Sequence, residues 1–419
     1  MAAAPTEPSA ALADAPSARP APLPQAVRWF GVASLMTDAS GDMIYPLIPL
    51  FLTSVLGGSV AFVGIIEGVA ESTASLLKLI SGRISDRLEH RKPLVLFGYG
   101  LTSLVRPLVA LATAPWMVLL IRFGDRVGKG LRGSPRDAMV ADVTPKDQRG
   151  RAYGYHQAMD NAGAVLGPLL GFALMVGLHL SLRTIFAWAA VPGLLAVVAI
   201  LAVRETPRRA PARARASQGA PLELAGSGPL RRYLAVLGLF TLGNASDAFL
   251  LLRAAEVLHP GAPVGSAALA DPKLLLLWSL HNAVKALLTL RGGALSDHHG
   301  RKVVIAAGWA VYALIYLAFG FANSAWQIWL LFALYGLYYS LVDGAEKALV
   351  ADLTPASKRG AGFGGYNAVL GLLSLPASVL FGVLYKTWSA RVAFGAAAAL
   401  AAAACALLFV VVPSPAPEE

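Results

Sequence analysis

The chain contains itself twice. The segment Val140-Ala-Asp-Val-Thr-Pro-Lys-Asp-Gln-Arg-Gly returns as Val350-Ala-Asp-Leu-Thr-Pro-Ala-Ser-Lys-Arg-Gly, 210 positions later. A second pair, SGRISDRLEHRK and GGALSDHHGRK, sets Ser85–Asp86 against Ser296–Asp297 at an offset of 211. The one-residue difference is local, because Asp86 to Arg91 is five residues and Asp297 to Arg301 is four. Two matches in nearly one register, half a chain apart, require two copies of one unit. Whatever one copy folds into, the other must fold into as well.

The unit is a set of apolar runs. Twelve stretches are long enough to cross a bilayer, which takes about 20 helical residues for a core of about 30 Å. They are about 28–55, 61–83, 92–113, 115–141, 151–178, 183–203, 232–258, 272–295, 302–322, 325–351, 361–385 and 390–412, numbered here as spans 1 to 12. Six spans per copy bring both copies in from the same side. They are parallel repeats about an axis along the membrane normal, and a site is expected at mid-membrane between them. The expected fold class is therefore an all-α polytopic membrane protein of twelve transmembrane helices in two pseudo-symmetric six-helix halves. A chain that is 56% hydrophobic and 14% charged is too apolar for an ordinary soluble enzyme.

Charge sets the orientation. Arg and Lys gather in 83–92, 146–151, 204–232, 291–302 and at Lys358–Arg359, while the connections Gly57–Ser59, Thr113–Pro115 and Asn323–Ser324 have none. The positive-inside rule then puts both termini in the cytoplasm, in the inner (plasma) membrane, and explains most of the net charge of +11 without nucleic acid. The expected organisation is a disordered cytoplasmic tail (1–25), a first bundle (26–203), a Pro-, Ala- and Arg-rich cytoplasmic linker (204–231), a second bundle (232–412) and a short cytoplasmic tail (413–419). Residues 1–25 have one basic residue, Arg19, and no apolar core, so they do not read as a signal peptide. A single cysteine, Cys405, excludes an internal disulfide, and no spacing suggests a metal site or a bound cofactor. No G-x4-G-K-[ST] loop offers a nucleotide site.

These motifs resemble those of the major facilitator superfamily of secondary transporters, over nearly the whole chain after the tail. Gly82, Asp86, Arg87, Arg91 and Lys92 are similar to its G-x-x-x-D-R/K-x-G-R-K loop, with Glu89–His90 where a Gly is usual. The second copy, Gly293, Asp297, Gly300, Arg301 and Lys302, keeps that Gly but has His298 after the acid. Asp142 with Arg149, and Asp352 with Arg359, resemble the acid-x6-Arg pairs of sugar-porter members. The resemblance implies that these residues tie helix ends together as gate latches. In span 5, Gly154, Gly163, Gly167, Pro168 and Gly171 fit G-x8-G-x3-G-P-x2-G, similar to the antiporter motif of proton-coupled exporters, with Phe172 replacing a final Gly. Small residues there let helices pack closely.

The charges inside the spans carry the rest. Span 4 holds Arg122, Arg126, Lys129, Arg132 and Arg136, which fall within a sector of about 120° on one helix face. A charge at the bilayer centre costs roughly 2.5–3.5 kcal/mol on insertion scales, so this stripe must face water, partner charges or a ligand. Span 1 sets Asp38, Asp42, Tyr45 and Pro49 on one face, and its prolines predict a bent or broken helix. Two acids one turn apart in low dielectric cannot both ionise cheaply, so one can carry a proton; the competing reading pairs it permanently with a span-4 Arg. Span 2 adds Glu67 and Glu71, and span 5 adds His156 and Asp160. The second half lacks the basic stripe, since Arg126 aligns with Gly336 and Lys129 with Tyr339. It offers His281, Lys285, Tyr335 and Tyr339, and its Asn244 stands where the first half has Asp38.

The expected function is alternating-access transport of a small anionic or zwitterionic organic solute, as a proton-coupled exporter, by a monomer in the lipid bilayer. Arg126, Lys129, Arg132, His281, Lys285, Tyr335 and Tyr339 are the candidate solute contacts. Asp38, Asp42, Glu67, Glu71 and Asp160 are the candidate proton carriers. Arg136 and Asp137, aligned with the sign-swapped Glu346 and Lys347, are expected to pair across the gate. An importer of an organic anion or metal chelate, and a non-transporting receptor or assembly factor, are the alternatives; a membrane enzyme is the least favoured class, supported only by the acid–His content of span 5 and without a nucleophile–base motif.

Overall fold

The computed structural model describes residues 22–145, 148–205, 228–262, 271–354 and 359–413. All twelve spans are helical, and where they deviate the sequence supplies most of the reasons. Span 1 runs as a regular helix over Gln25–Ile44, tightens at Tyr45–Leu47 and loosens at Phe51–Val55. Pro46 and Pro49 cannot donate to the helix ladder, so the register must change there. Thr53 and Ser54 turn their hydroxyls back onto the carbonyls of Pro49 and Leu50, at 3.0 and 2.6 Å. Span 2 is Val60–Arg87, capped by Ser59. Span 3 is Lys92–Val105, continued by a tighter turn over Arg106–Leu111 at Pro107. Span 4 is one helix, Pro115–Val143, with Pro in its first turn where no N–H is needed. Span 5 is Arg149–Phe172 with a looser last turn, Ala173–Gly177, and span 6 joins Leu182–Trp188 to Ala190–Ala202.

The second half repeats the plan. Span 7 is broken, Gly228–Gly243 and then Ala248–Leu258. Spans 8 to 12 are Lys273–His299, Arg301–Phe321, Ala325–Asp352, Arg359–Thr387 and Ala390–Val411. Gly300, at φ 86°, makes the abrupt turn between spans 8 and 9 that a side chain would resist. Among the described residues, nine of these spans are long and apolar enough on their own to cross a membrane. The other three, spans 1, 4 and 8, carry the central polar residues.

Packing follows the duplication. Span 1 packs on 5 and 6, span 4 on 2 and 3, and span 3 on 6; span 7 packs on 11 and 12, span 10 on 8 and 9, and span 9 on 12. The contacts repeat at the atomic level. Arg91 Nη1 meets Asp142 Oδ2 at 2.7 Å, and Arg301 Nε meets Asp352 Oδ2 at 3.5 Å. Lys92 donates to the carbonyl of Val203 at the end of span 6, and Lys302 to that of Val412 at the end of span 12. Thr144 and Thr354 each turn onto a carbonyl four residues back, at 2.6 Å.

The halves meet through span 2 on 11 and span 5 on 8. Glycines set the distance along the first seam. A Cβ on Gly64 would lie 2.3 Å from the carbonyl oxygen of Ser378, one on Gly68 2.7 Å from Leu375 Cα, and one on Gly382 3.1 Å from Ala61 Cα. Gly371 closes on Ser75 near the middle of both helices. These approaches run from the face opposite the termini to the centre.

Candidate functional site

The span-4 stripe divides according to what each cation finds. Arg122 forms a bidentate pair with Glu67 of span 2, Nη2 to Oε2 at 2.7 Å and Nε to Oε1 at 3.1 Å, and both side chains are buried. Asp125 is held by Arg106 of span 3, Nε to Oδ1 at 2.8 Å, and lies 3.8 Å from Arg122. Arg106 also donates to the carbonyl of Thr37, which fixes span 1 to span 3. Buried charges are tolerable when paired and hydrogen-bonded, and this group meets that condition. The cation–acid network joins spans 1 to 4 into one block.

Arg132 departs from its expected place. It is buried, donates to Thr102 Oγ1 at 2.9 Å and lies over the Tyr99 ring at 4.5 Å. Its charge is turned toward span 3 and away from the centre, so it is not a wall of the cavity. Arg136 pairs with its neighbour Asp137 at 2.9 Å and reaches Ser34 at 3.2 Å. The cross-gate partner expected for it, Glu346, is instead buried inside the second half, accepting from Trp309 Nε1 at 3.0 Å and Tyr366 OH at 2.8 Å. Lys347 is exposed.

Arg126 and Lys129 remain. Among the described residues neither has a carboxylate oxygen within 4.0 Å, and the Nε of Arg126 is buried without a hydrogen-bond partner. Both line a cavity of about 190 Å³ together with Asp38, Asp42, Tyr45, Arg122 and Trp278. The cavity lies where spans 1, 3 and 4 face span 8. Asp42 Oδ1 accepts from Trp278 Nε1 at 2.9 Å, a bond that joins the two halves, and Tyr45 packs on the same indole. Glu71 is exposed but within Coulombic range of Arg126 and Lys129. Asp160 faces His156 at 3.5 Å on its own helix. Of the expected proton carriers, then, Asp38 and Asp42 reach the cavity, Glu71 and Asp160 lie outside its lining, and Glu67 is committed to Arg122.

The second half presents aromatic rings. His281 is buried, stacks on Tyr335 at 5.1 Å and sits beside Trp278 and Tyr339. Lys285 meets Asp343 at 3.3 Å and lies 4.2 Å from the Tyr339 ring centre. Neither His281, Lys285, Tyr335 nor Tyr339 lines the 190 Å³ cavity. The hydroxyls of Tyr335 and Tyr339 converge on Asp247.

At the loops, Asp142 and Asp352 pair with Arg91 and Arg301 of the preceding loop motif. The acid-x6-Arg expectation falls on Arg149 and Arg359, whose side chains are outside the described residues. The side chains of Asp86, Arg87, Arg149, Asp297 and Arg359 lie outside the described residues. Gly82 faces Ser134 of span 4. In span 5, a Cβ on Gly163 or Gly167 would lie 2.4 or 2.5 Å from a carbonyl oxygen of span 1, and one on Gly171 3.0 Å from that of Met43. Gly154 is the exception, with nothing within 4 Å among the described residues. Pro168 lies inside the helix between these contacts.

Sequence reasoning missed three groups. Asp125 was overshadowed by the cations around it, Trp278 had only its place on span 8 to mark it, and Asp247 lay in a stretch read as continuous helix. No group of three or more metal-ligating residues forms among the described residues.

A two-halved bundle of twelve membrane helices, sealed along one side by glycine contacts and holding unpaired cations in a cavity between its halves, has the architecture of a secondary transporter. The chain belongs to the Major Facilitator Superfamily, whose profile matches residues 30–270 and 273–419, and it is a multi-pass membrane transporter of that family. It is 34% identical to the uncharacterized MFS-type transporter MJ1317 of Methanocaldococcus jannaschii, over 85% of this chain and 87% of that one. A partial match, 33% identical over 32% of this chain and 33% of the other, joins it to the multidrug resistance protein MdtH of Photorhabdus laumondii. Among solved structures, a D-xylose–proton symporter shares the fold with a TM-score of 0.73 at 16% identity, covering 94% of this chain and 99% of that one. The nucleoside transporter NupG does so with a TM-score of 0.70 at 11% identity, covering 92% and 98%.

Proposed function

We propose that this transporter exports a small anionic or zwitterionic organic solute across the inner (plasma) membrane in exchange for protons, as a monomer with both termini in the cytoplasm. The observation that carries the reading is the pair of cations, Arg126 and Lys129, lining a central cavity with no carboxylate within 4.0 Å among the described residues. Unpaired charge at that depth is costly, and a bound anion removes the cost. Asp38 and Asp42 line the same cavity and supply groups that can exchange a proton for solute. Trp278 and Tyr45 give it an aromatic side, which suits a planar organic body. The span-5 glycine pattern and the partial match to a multidrug resistance protein support export.

A thermal-shift screen of the purified protein against anionic metabolites, siderophores and drugs at two pH values tests this. A ligand at 100 times its dissociation constant stabilises by about 2.7 kcal/mol, enough to register. Anions and zwitterions are expected to dominate the hits and to lose their effect in Arg126→Ala. Hits confined to neutral or cationic compounds, or flux of a hit in proteoliposomes that ignores a pH gradient, would overturn the reading.

A further inference from the structure

Every proton carrier expected from the sequence lies in the first half, yet the second half holds a mid-membrane acid without a cationic partner. Asp247 stands where span 7 is interrupted, between Gly243 and Ala248. It is the N-cap residue of the second segment, but its side chain makes no capping hydrogen bond. Its carboxylate turns to span 10, accepting from Tyr335 OH at 2.5 Å and Tyr339 OH at 3.3 Å. Among the described residues no Lys, Arg or His nitrogen lies within 4.0 Å of it.

The surroundings leave its charge uncompensated. From span 8, Lys285 is in Coulombic range but already meets Asp343, and His281 is stacked behind Tyr335. Span 2 contributes Glu71, of the same sign. Spans 1, 9 and 10 bring phenols into range of it, Tyr45, Tyr312, Tyr316 and Tyr338. An ionised carboxylate held by neutral donors in the membrane interior is expensive, and a proton from water removes the charge without a counter-ion.

We propose that Asp247 is a proton-binding site of the second half. The carboxylate takes one proton from water on one side of the membrane, becoming a neutral carboxylic acid, and returns it to water on the other side as the carboxylate is restored. This rests on the proton-coupled reading above. The place of the group makes the event mechanical. Ionised, Asp247 holds span 10 to span 7 through two charge-assisted bonds, which are about twice as strong as neutral ones. Protonation weakens that tie, while Tyr312 and Tyr316 of span 9 keep their bonds to the carbonyls of Gly243 and Ala245. Next to the break, Ser246 N–H donates to Ser378 Oγ at 3.3 Å, and the Ser378 carbonyl is the one Gly64 packs against. A shift at the break is therefore delivered to the seam between the halves.

The test is infrared difference spectroscopy on acidification of the full chain in lipid nanodiscs, with distances measured between spin labels at Ser59 and Lys386 in a Cys405→Ala background. In Asp247→Asn, one component of the protonated-carboxyl band is expected to vanish, and the Ser59–Lys386 distance to lose its pH dependence. In Tyr335→Phe the band should remain but move its midpoint about one unit toward higher pH, because the carboxylate has lost a donor. A band identical to wild type in Asp247→Asn overturns the proposal. Should that variant fail to fold, an unmoved midpoint in Tyr335→Phe overturns it. Loss of the component while wild-type flux ignores a pH gradient would leave the proton site standing and remove the exporter reading.

Discussion

At the scale of single residues, the span-4 cations separate into structural and free charges, and stability measurements can tell them apart. Removing one partner of a buried ion pair strands the other, at about 3–5 kcal/mol. Glu67→Gln and Arg122→Gln are each expected to lower the unfolding midpoint of the purified protein by that order, and the double substitution to recover much of the loss. Arg126→Gln removes a cation that has no carboxylate within 4.0 Å among the described residues, so it should leave stability level or raise it while ligand-induced stabilisation disappears. Equal destabilisation by Arg126→Gln and Arg122→Gln, followed by chemical denaturation, would contradict the division. The sequence showed that the stripe needed partners but not which cation had one. That depends on Glu67 reaching Arg122 from span 2, 55 residues away in the chain, and on Arg106 reaching Asp125 from span 3, 19 residues away. Helical spacing places five cations on one face, but it is silent on whether Thr102 and Tyr99 take Arg132 off the cavity wall.

At the scale of helices, the legible breaks were those with a covalent cause. Pro46 and Pro49 announced the change of register in span 1. Span 7 carries no proline between Thr241 and Asp247, so its sequence predicts one continuous span. Its interruption is stabilised by Tyr312 and Tyr316, 69 and 71 residues away, whose hydroxyls donate to the freed carbonyls of Gly243 and Ala245. A break held by tertiary contacts leaves only a turn-forming composition, Gly-Asn-Ala-Ser-Asp, as its trace. The span-5 glycines can be ranked by the same logic of contact. Gly163→Val and Gly167→Val would force side chains against backbone oxygen of span 1, which cannot rotate away, and overpacking of this kind costs about 1–3 kcal/mol. Gly154→Ala meets nothing within 4 Å and should gain up to about 1 kcal/mol from helix propensity. Thermal unfolding of the three variants in one detergent should give this order; a destabilised Gly154→Ala would mean that this position packs in another conformation.

At the scale of the whole molecule, the duplication that was plain in the sequence becomes a prediction about movement. Span 2 on 11 and span 5 on 8 are themselves equivalent contacts under the repeat, so each half can pivot on the other without either losing its internal packing. The close approaches along the first of these seams, at Gly64, Gly68, Gly371 and Gly382, run from the face opposite the termini to the centre. The paired latches Arg91–Asp142 and Arg301–Asp352 stay within their own halves and stiffen the bodies that move. Enlarging a seam glycine should therefore change the balance between conformations more than the stability of either half. In Gly64→Val the new carbons would have to occupy space 2.3 Å from the Ser378 carbonyl, so the seam must open there. The substitution is expected to lengthen the Ser59–Lys386 distance and to raise the alkylation rate of a cysteine placed at Ser59 by roughly tenfold, the ratio that corresponds to about 1.4 kcal/mol of shifted equilibrium. Gly395, which has nothing within 4 Å, provides the control, and its valine variant should leave both readings unchanged. A Gly64→Val protein that melts early but keeps the wild-type distance and labelling rate would show that the seam is fixed architecture and that the halves pivot elsewhere.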